Sequence, residues 1–457
     1  MDTNQMPPEM KTISGFSKLS KRGKIKWIVE NFFKDPENVM RELMSYWVQN
    51  EEQQKVLDGF SENTISNFVL PYGVAPNFLI NDQMYCIPMV IEESSVVAAA
   101  SHAAKFWMNR GGFKAEVISM VKEGQVHFIW PGKPEILREL FPKLRRELIE
   151  KTGYLTENMR QRGGGILDVE LVDLTDKEPG YFQLRGKFDT RDSMGANFIN
   201  TLLEEFSQHL KLFMSQQKQL PDNWQEVEVI MSILSNYTPE CLVRASVSCR
   251  VSELDQAIKD MDGETFARRF YLAVKMAHWD PYRATTHNKG IFNGVDAVVL
   301  ATGNDFRATE ACGHTYASRT GQYASLSDCR IDEDTFHFWL DMPLAIGTTG
   351  GLTSLHPMAK RSLELLGNPN AEQLMQIIAA TGLAQNFAAV KSLVTTGIQK
   401  GHMKMHLVNI LTRMDASERE VKEAIVYFKD KVVSFQSVRE FLDVIRNNPP
   451  ENQKILA

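Results

Sequence analysis

The first 60 residues place Phe, Ile, Leu and Trp at helical spacing, as in IKWIVENFF and VMRELMSYW, which predicts a helical N-terminal region. FVLPYGVAPNFLIN is broken by Pro and Gly and is expected to be extended, and QMYCIPMVI is expected to follow it as a strand. The segment EESSVVAAASHAAKFW predicts a helix of small residues, which lets another group approach it closely.

The pattern changes character between residues 113 and 220. FKAEVISMVKEGQVHFIWP predicts two strands that form a hairpin around Glu123 and Gly124. KPEILRELFPKLRRELIEKTG has the spacing of an amphipathic helix, GGGILDVELVDL alternates like a half-buried strand, and a strand (FQLRGKFD) and a helix (NFINTLLEEFSQHLKLFM) follow. This order predicts a compact inserted α+β domain.

The last part of the chain is mixed from about 225 to 360 and then helical. Ser417 with Glu420, and Ser437 with Glu440, have the spacing of capping boxes ahead of apolar-periodic runs. In HNKGIFNGVDAVVLATGND, Lys289 and Asp305 stand near the two ends of an apolar run whose length allows a helix or a strand. The two charges either bound a buried element or share a site.

Composition narrows the class of protein. A chain of 457 residues predicts two or three domains, and 43% hydrophobic with 24% charged residues is typical of a soluble globular protein. The net charge of −6 argues against a general nucleic-acid binder. Five scattered cysteines without a C-x-x-C pair predict neither disulfides nor a zinc site. A polar N-terminus and the absence of an apolar run near 18 residues predict a cytosolic location without a membrane span.

Two glycine-containing stretches are candidates for a dinucleotide. In RDSMGANFINT, Asp192, Gly195 and Asn197 lead into a helix whose backbone N–H groups could meet a phosphate, although its shape alone favours an ordinary capped helix. In RGGGILDVEL the glycines precede a strand, the reverse of a Rossmann fingerprint. Asp168 is either a ribose acceptor or a solvent-facing strand aspartate.

Three further patterns carry candidate chemistry. The two glutamates of VIEESSVV precede a helix, as ordinary dipole partners do, or one of them acts as an acid. His402 and His406 in GHMKMH are four residues apart but lack the glutamate of H-E-x-x-H, so an acid–base or structural histidine is favoured over a metal site. TTGGLT marks a tight passage of the backbone.

Taken in order, these segments resemble class II hydroxymethylglutaryl-CoA reductases, the bacterial type. The resemblance rests on PMVIEESSVVAAASHAAK, RGGG, RDSMGANFINT, HNKGIFNGVDAVVLATGNDFRA, GLAQNF and GIQKGHMKMH, and it covers most of the chain. Ser94 stands where many members have proline, Ser193 replaces the alanine of D-A-M-G, and ENTIS is a variant of the family's ENVIG.

The resemblance implies a fold and a reaction. The fold is α+β, with a large substrate-binding and dimerisation domain (1–112 and 222–393) interrupted by a small, non-Rossmann α/β dinucleotide-binding domain (113–221), and a C-terminal helical flap (394–457). The reaction is the four-electron reduction of 3-hydroxy-3-methylglutaryl-CoA (HMG-CoA) to mevalonate and CoA with NAD(P)H, or its reverse. The alternatives are an acyl-CoA thioester hydrolase and a non-catalytic CoA-binding protein.

The resemblance also implies roles for individual residues. Lys289 would stabilise the oxyanion that forms as hydride reaches the thioester carbonyl, and Glu93 would act as the acid. Asp305 would organise the charged cluster, and His402 would protonate the departing CoA thiolate. The implied substrate contacts are Ser95, Arg283 and Asn293, and the implied dinucleotide contacts are Asp168, Asp192, Gly195 and Asn197.

Cofactors and partners follow from the same resemblance. Either NADH or NADPH is implied, and the acidic Asp168 favours NADH, although Arg160 and Arg162 could offset that preference. The expected ligands are HMG-CoA, mevalonate and CoA, with no metal, nucleic acid or membrane. A homodimer or higher homo-oligomer in the cytoplasm is implied, with the active site at the interface, where Glu93 and Lys289 could come from different chains.

Overall fold

The computed structural model describes residues 12–257, 261–395, 407–429, 431 and 433–447. It has a mixed α and β structure, as the sequence predicts. The helices are α1 (Lys21–Phe32), α2 (Pro36–Ser45), α3 (Glu51–Asp58), α4 (Val96–Met108), α5 (Pro134–Lys151), α6 (Gly153–Gln161), α7 (Ala196–Ser215), α8 (Gly263–Trp279), α9 (Pro281–Ala301), α10 (Phe306–Ala317), α11 (Gly351–Leu355), α12 (Pro357–Leu365), α13 (Ala371–Val394), α14 (407–413), α15 (Glu418–Tyr427) and α16 (Phe435–Asn447).

The strands form three antiparallel sheets in the described part of the chain. Their bounds are β1 (Tyr72–Ile80), β2 (Gln83–Val90), β3 (Lys114–Val117), β4 (Lys122–Ile129), β5 (Gly165–Asp173), β6 (Tyr181–Asp189), β7 (Glu228–Leu234), β8 (Leu242–Arg250), β9 (Ser327–Asp332) and β10 (Thr335–Pro343). The strand orders are β1-β2, β3-β8-β10-β9 and β5-β6-β4-β7. The third sheet therefore takes in β7, beyond the predicted boundary at 221, while β3 pairs with the second sheet.

The predicted hairpin around Glu123 and Gly124 is wrong. Both residues lie inside β4, where they pair with Lys187 and Gly186 of β6. A Cβ at Gly124 would meet Leu203 Cδ1 of α7 at 2.5 Å, so this glycine allows a helix to pack closely on the sheet rather than making a turn. A Glu-Gly pair between apolar runs gives the same local signal in either case.

The third sheet and its helices have a hydrophobic core of their own. Strands β4, β5 and β6 and helices α5 and α7 contribute its buried residues, which include Phe128, Phe182 and Phe206. A second, larger core joins β1, β2, α4, α8–α10, α13 and the sheet around β8 and β10. A small third core holds α14, α15 and α16 together.

Of the two capping boxes that the sequence predicts in these last helices, one is confirmed. Ser417 and Glu420 form the expected capping box at the start of α15. Ser437 instead lies inside α16, and its backbone N–H donates to Ser434 Oγ at 3.0 Å. The serine three residues earlier therefore takes the capping position, because α16 begins at Phe435.

Helix α13 is the central element of the large core. Among the described helices it is the one whose length and composition would suit a membrane span. An 18-residue stretch of its 24 residues has a mean hydropathy of 1.3, but 67% of that stretch is buried inside the protein. A helix that is apolar on all sides and covered by its own protein is a core helix.

The run between Lys289 and Asp305 is resolved as helix. Residues up to Ala301 belong to α9, and the chain turns at Gly303, whose φ is +71°, before α10. Helix α9 packs on α13 with its backbone very close, since a Cβ at Gly294 would meet Gln385 Cβ and the Thr381 carbonyl oxygen at 2.8 Å. A Cβ at Gly382 would likewise meet Val295 at 2.7 Å.

We expect Gly294→Ala to lower the free energy of unfolding by about 1–3 kcal/mol, because its methyl group forces α9 away from α13. Denaturant unfolding measures the change. The control is Gly290→Ala on the same helix, where the new Cβ would meet only Ala389 Cβ at 3.9 Å. That substitution should be neutral or stabilising by up to about 1 kcal/mol, since alanine favours helix over glycine. Equal effects of the two substitutions would contradict the close packing at Gly294.

Candidate functional site

Lys289 and Glu93 form an ion pair within one chain. The Lys289 Nζ atom lies 2.7 Å from Glu93 Oε2, and the two side chains are 61% and 39% exposed. The expectation that separate chains could supply these two residues is therefore wrong, because the loop before α4 reaches α9 of the same molecule. A pair this exposed contributes little to stability, so both charges are available to a ligand.

Ser95 lies beside this pair at the N-cap of α4. Its φ of +75° puts it in the left-handed region, and its side chain does not cap the helix. Among the described residues its hydroxyl has no hydrogen-bond partner. A serine in this conformation is strained by about 1–3 kcal/mol, and such strain is common at ligand-binding positions.

The other two predicted substrate contacts also lie on α9. Asn293 follows Lys289 by four residues, so the two share one face of the helix. Arg283 lies near the N-terminus of α9, roughly a third of a turn around the helix from Lys289. Its guanidinium has no carboxylate partner among the described residues, and burial lowers its pKa. A half-buried guanidinium without a counter-ion is suited to an anionic ligand.

Asp305 does not reach Lys289 within the chain. It is the N-cap of α10, where its carboxylate accepts hydrogen bonds from the Arg307 and Ala308 N–H groups and pairs with the Arg307 guanidinium at 3.0 Å. The helical residues from Lys289 to Ala301 alone span about 18 Å. The structure therefore joins Lys289 to Glu93 and places Asp305 at the far end of α9.

His402 and His406 lie outside the described residues. The described part of α13 ends at Val394, and the chain is described again from residue 407. The role expected for His402 stays a prediction.

The predicted dinucleotide loop runs into α7. Gly195 is the N-cap with a φ of +89°, and a Cβ there would meet Thr190 Cγ2 at 2.4 Å, so the position requires glycine. Asn197 is exposed in the first turn of α7. Asp192 is already engaged, because its Oδ1 accepts a hydrogen bond of 2.8 Å from the Ala371 N–H at the start of α13. Its carboxylate therefore ties this loop to α13.

Lys122, which the sequence analysis did not identify, forms hydrogen bonds to the same loop. Its ammonium group is buried and donates to Thr190 Oγ1 at 2.6 Å and to the Ser193 carbonyl oxygen at 2.7 Å. Burial lowers the pKa of this lysine. No local pattern could have identified it, since it stands beside Glu123 at the start of a strand.

Asp168 is paired with a residue that the sequence interpretation also missed. Arg145 of α5 contacts Asp168 Oδ1, with its Nη2 at 2.5 Å and its Nε at 2.7 Å. Of the three glycines at the start of β5, Gly164 has a packing reason, as a Cβ there would lie 2.5 Å from the Asp189 carbonyl oxygen, and Gly163 and Gly165 have φ values of +84° and +123°. Arg145 is one of several basic residues along an amphipathic helix, so its spacing did not single it out.

The described part of the chain has no cluster of side chains arranged as a metal site. Among residues 12–447, apart from the gaps in the described ranges, no group of three or more His, Cys, Asp or Glu side chains is placed to hold a metal ion. The acidic and basic groups of the site lie instead in pairs.

Comparison with known proteins identifies the family. The model of the hydroxymethylglutaryl-coenzyme A reductase family matches residues 26–407. The 3-hydroxy-3-methylglutaryl-coenzyme A reductase of Archaeoglobus fulgidus is 34% identical over 440 residues, 95% of each chain. The probable enzyme of Borreliella burgdorferi is 30% identical and covers 94% of each chain.

Solved structures agree with the sequence comparison. The class II enzyme of Streptococcus pneumoniae, bound to NADPH in open conformations, has a TM-score of 0.68 at 37% identity, covering 90% of this chain and all of that one. A second structure of the enzyme from the same organism has a TM-score of 0.68 at 36% identity and covers 95% of this chain. By sequence and by structure, this chain belongs to the hydroxymethylglutaryl-coenzyme A reductase family.

Proposed function

We propose that the reduction of HMG-CoA, the family's step in the mevalonate pathway, takes place at the ion pair of Lys289 and Glu93. The observation that carries this assignment is the 2.7 Å contact between their charged atoms. Because the chain belongs to a reductase family, we favour reduction over the two alternative functions, a thioester hydrolase and a non-catalytic CoA-binding protein.

The chemistry explains why a lysine and a glutamate are needed together. When bound, the nicotinamide cofactor supplies one hydride at each of the two reductions. The thioester carbonyl oxygen gains negative charge at the first, and the Lys289 ammonium group stabilises it. After CoA leaves, the aldehyde oxygen needs a proton as the second hydride arrives. Glu93, in contact with Lys289, supplies it directly or through the lysine.

The HMG group would be held by residues around this pair. The Arg283 guanidinium binds the terminal carboxylate, because its planar fork matches two carboxylate oxygens and no protein carboxylate competes for it in the described part of the chain. Ser95 Oγ and the Asn293 amide supply hydrogen bonds to the hydroxyl and carbonyl oxygens. His402, outside the described residues, would protonate the CoA thiolate.

The dinucleotide would lie along the small domain. The start of α7, at Gly195 and Asn197, offers backbone N–H groups to a phosphate, and Asp168 lies where a ribose would follow the glycine loop. We propose NADH as the favoured cofactor, since the Asp168 carboxylate repels the 2′-phosphate of NADPH. Arg145 weakens that discrimination by pairing with the carboxylate. The NADPH bound to the Streptococcus pneumoniae enzyme supports a nicotinamide cofactor in general.

We further propose a homodimer in which Asp305 of one chain completes the site of the other. Within one chain, Asp305 and Lys289 lie far apart. The resemblance to the family, however, implies that this aspartate organises the charged cluster that contains the lysine. Large apolar side chains remain uncovered in the single chain, among them Phe68 at 92% and Tyr282 at 88% exposed. A partner chain that covered these side chains would remove their apolar surface from water, which favours association. The cytoplasm remains the expected location.

We expect Lys289→Ala to reduce kcat by at least about a hundredfold, because the oxyanion loses its cation. The oxidation of NADH or NADPH on addition of HMG-CoA, followed by absorbance, measures the rate. Lys114→Ala is the control, since Lys114 forms an equally short pair with Asp82, at 2.7 Å, away from this site. It should leave kcat unchanged. An active Lys289→Ala enzyme would overturn the assignment.

Mixing inactive variants tests the shared site. Lys289→Ala and Asp305→Ala, each inactive alone, should recover about a quarter of the wild-type rate when unfolded and refolded together, since half of the dimers then hold one intact site of two. Lys289→Ala mixed with Glu93→Ala should stay inactive, because these two residues act from the same chain. Recovery in both mixtures, or in neither, would contradict the proposed arrangement.

Asp168→Ala should shift cofactor preference toward NADPH by at least about tenfold in the ratio of kcat/KM values, because the carboxylate is gone and Arg145 is free to bind a 2′-phosphate. Asp173→Ala is the matched control. Asp173 is on the same strand and pairs with Arg138 of the same helix at 2.5 Å. A ratio that moves equally in both variants would refute a specific role for Asp168.

A further inference from the structure

His287 lies in the interior of α9, one turn after Arg283. It is 2% exposed, and its Nε2 atom is 2.7 Å from Ser327 Oγ at the start of β9. The Ser327 hydroxyl donates in turn to Asn386 Oδ1 of α13 at 2.8 Å. Burial and the nearby positive charges of Arg283 and His278 lower the pKa of His287 to about 3, so its ring is neutral at physiological pH.

These contacts define which ring nitrogen carries the proton. Ser327 has one hydroxyl hydrogen and gives it to Asn386, so the hydrogen between Ser327 and His287 must come from Nε2. A neutral ring protonated at Nε2 has a lone pair at Nδ1. The Arg283 Nη2 atom, which can only donate, lies 3.5 Å from that Nδ1. Each group in the series from Arg283 to Asn386 thus has a consistent donor and acceptor role.

We propose that His287 is a positioning residue that aims the Arg283 guanidinium at the terminal carboxylate of the acyl group, and so selects acyl-CoA substrates that carry this carboxylate. The inference rests on the proposed role of Arg283 as the carboxylate-binding residue. A neutral acceptor suits this task better than an acidic one. An aspartate or glutamate would neutralise the guanidinium and compete with the substrate, whereas an imidazole nitrogen restrains the side chain and leaves its charge available.

The restraint matters because arginine is long and flexible. Among the described residues, His287 Nδ1 is the one side-chain atom within hydrogen-bond distance of the Arg283 guanidinium. Without it, a substrate carboxylate must bear the entropy cost of ordering the arginine. Ser327 and Asn386, both fully buried, hold the ring rigidly from the opposite side. The series thus connects the helix that carries Lys289 to α13 and β9.

Two substitutions separate the ring's two contacts. The amide of Gln reaches the position of Nε2, so His287→Gln keeps a partner for Ser327 and removes the acceptor for Arg283. The amide of Asn reaches the position of Nδ1, so His287→Asn keeps that acceptor and removes the contact with Ser327. The probes are HMG-CoA and 3-hydroxy-3-methylbutyryl-CoA, which lacks the terminal carboxylate and is measured as a competitive inhibitor.

We expect His287→Gln to raise the KM for HMG-CoA about tenfold with kcat within about twofold, as loss of one hydrogen bond to a charged group predicts. The inhibition constant of 3-hydroxy-3-methylbutyryl-CoA should not change. His287→Asn should lower the melting temperature more than His287→Gln and keep the KM closer to wild type. His278→Gln is the control, because His278 Nε2 contacts the Ser327 carbonyl oxygen at 3.1 Å but not Arg283.

Two results for His287→Gln would overturn the inference. One is an unchanged KM in His287→Gln, and the other is an equal loss of affinity for both ligands, which indicates a structural role alone. Should His287→Gln fail to fold, a KM for His287→Asn raised as much as that of Arg283→Ala would also overturn it. An unchanged KM in Arg283→Ala would instead refute the proposed role of Arg283. If Arg283 acts as proposed, adding His287→Gln to Arg283→Ala should raise the KM no further.

Discussion

The close packing of α9 against α13 determines the geometry of the site. At Gly294 and Gly382 the two helices approach so closely that a single added methyl group would meet its neighbours at 2.8 Å or less. Helix packing at this distance is sensitive to position, because interiors are filled to nearly crystalline density. Lys289, Asn293, Arg283 and His287 all project from α9. Their positions relative to α13 are therefore set by a contact that involves none of their side chains.

Individual elements of the larger core could be predicted from the sequence because their hydrophobic periodicity is local. The small-residue helix α4 and the strand β2 occur where the pattern placed them. The strand pairing could not be predicted in the same way. Gly124 does not form a turn, because it allows α7 to pack closely on the sheet through Leu203. That residue lies almost eighty positions later, in another element. The helical state of α9 remained open for a related reason, because a buried helix and a buried strand present similar apolar runs.

The site shows the same division between local and distant information. Glu93 and Lys289 were identified through motifs, and their contact follows from the fold. Asp305 belongs to the same motif as Lys289, yet it is sixteen residues further along the chain and lies beyond the end of α9, far from the Lys289 side chain. Arg145, Lys122 and Ser327 were not singled out at all, since each stands in an ordinary segment and gains its role from a partner far along the chain. Sequence motifs mark residues that meet a ligand more readily than residues that hold others in place.

The position of α13 near the end of the chain has a consequence for biosynthesis. The sheet β5-β6-β4-β7, with α5 and α7, is complete once residue 234 has been made, and it has its own core. The large core is different, because strands and helices from as early as β1 pack around residues 371–394. Contacts between such distant parts of a chain form slowly. On the ribosome, this sheet and its two helices can therefore fold first, while the apolar faces of β1, β2 and α4 stay uncovered until a helix about three hundred residues later has been made. The order of the elements along the chain therefore leaves these apolar faces open to aggregation during that interval.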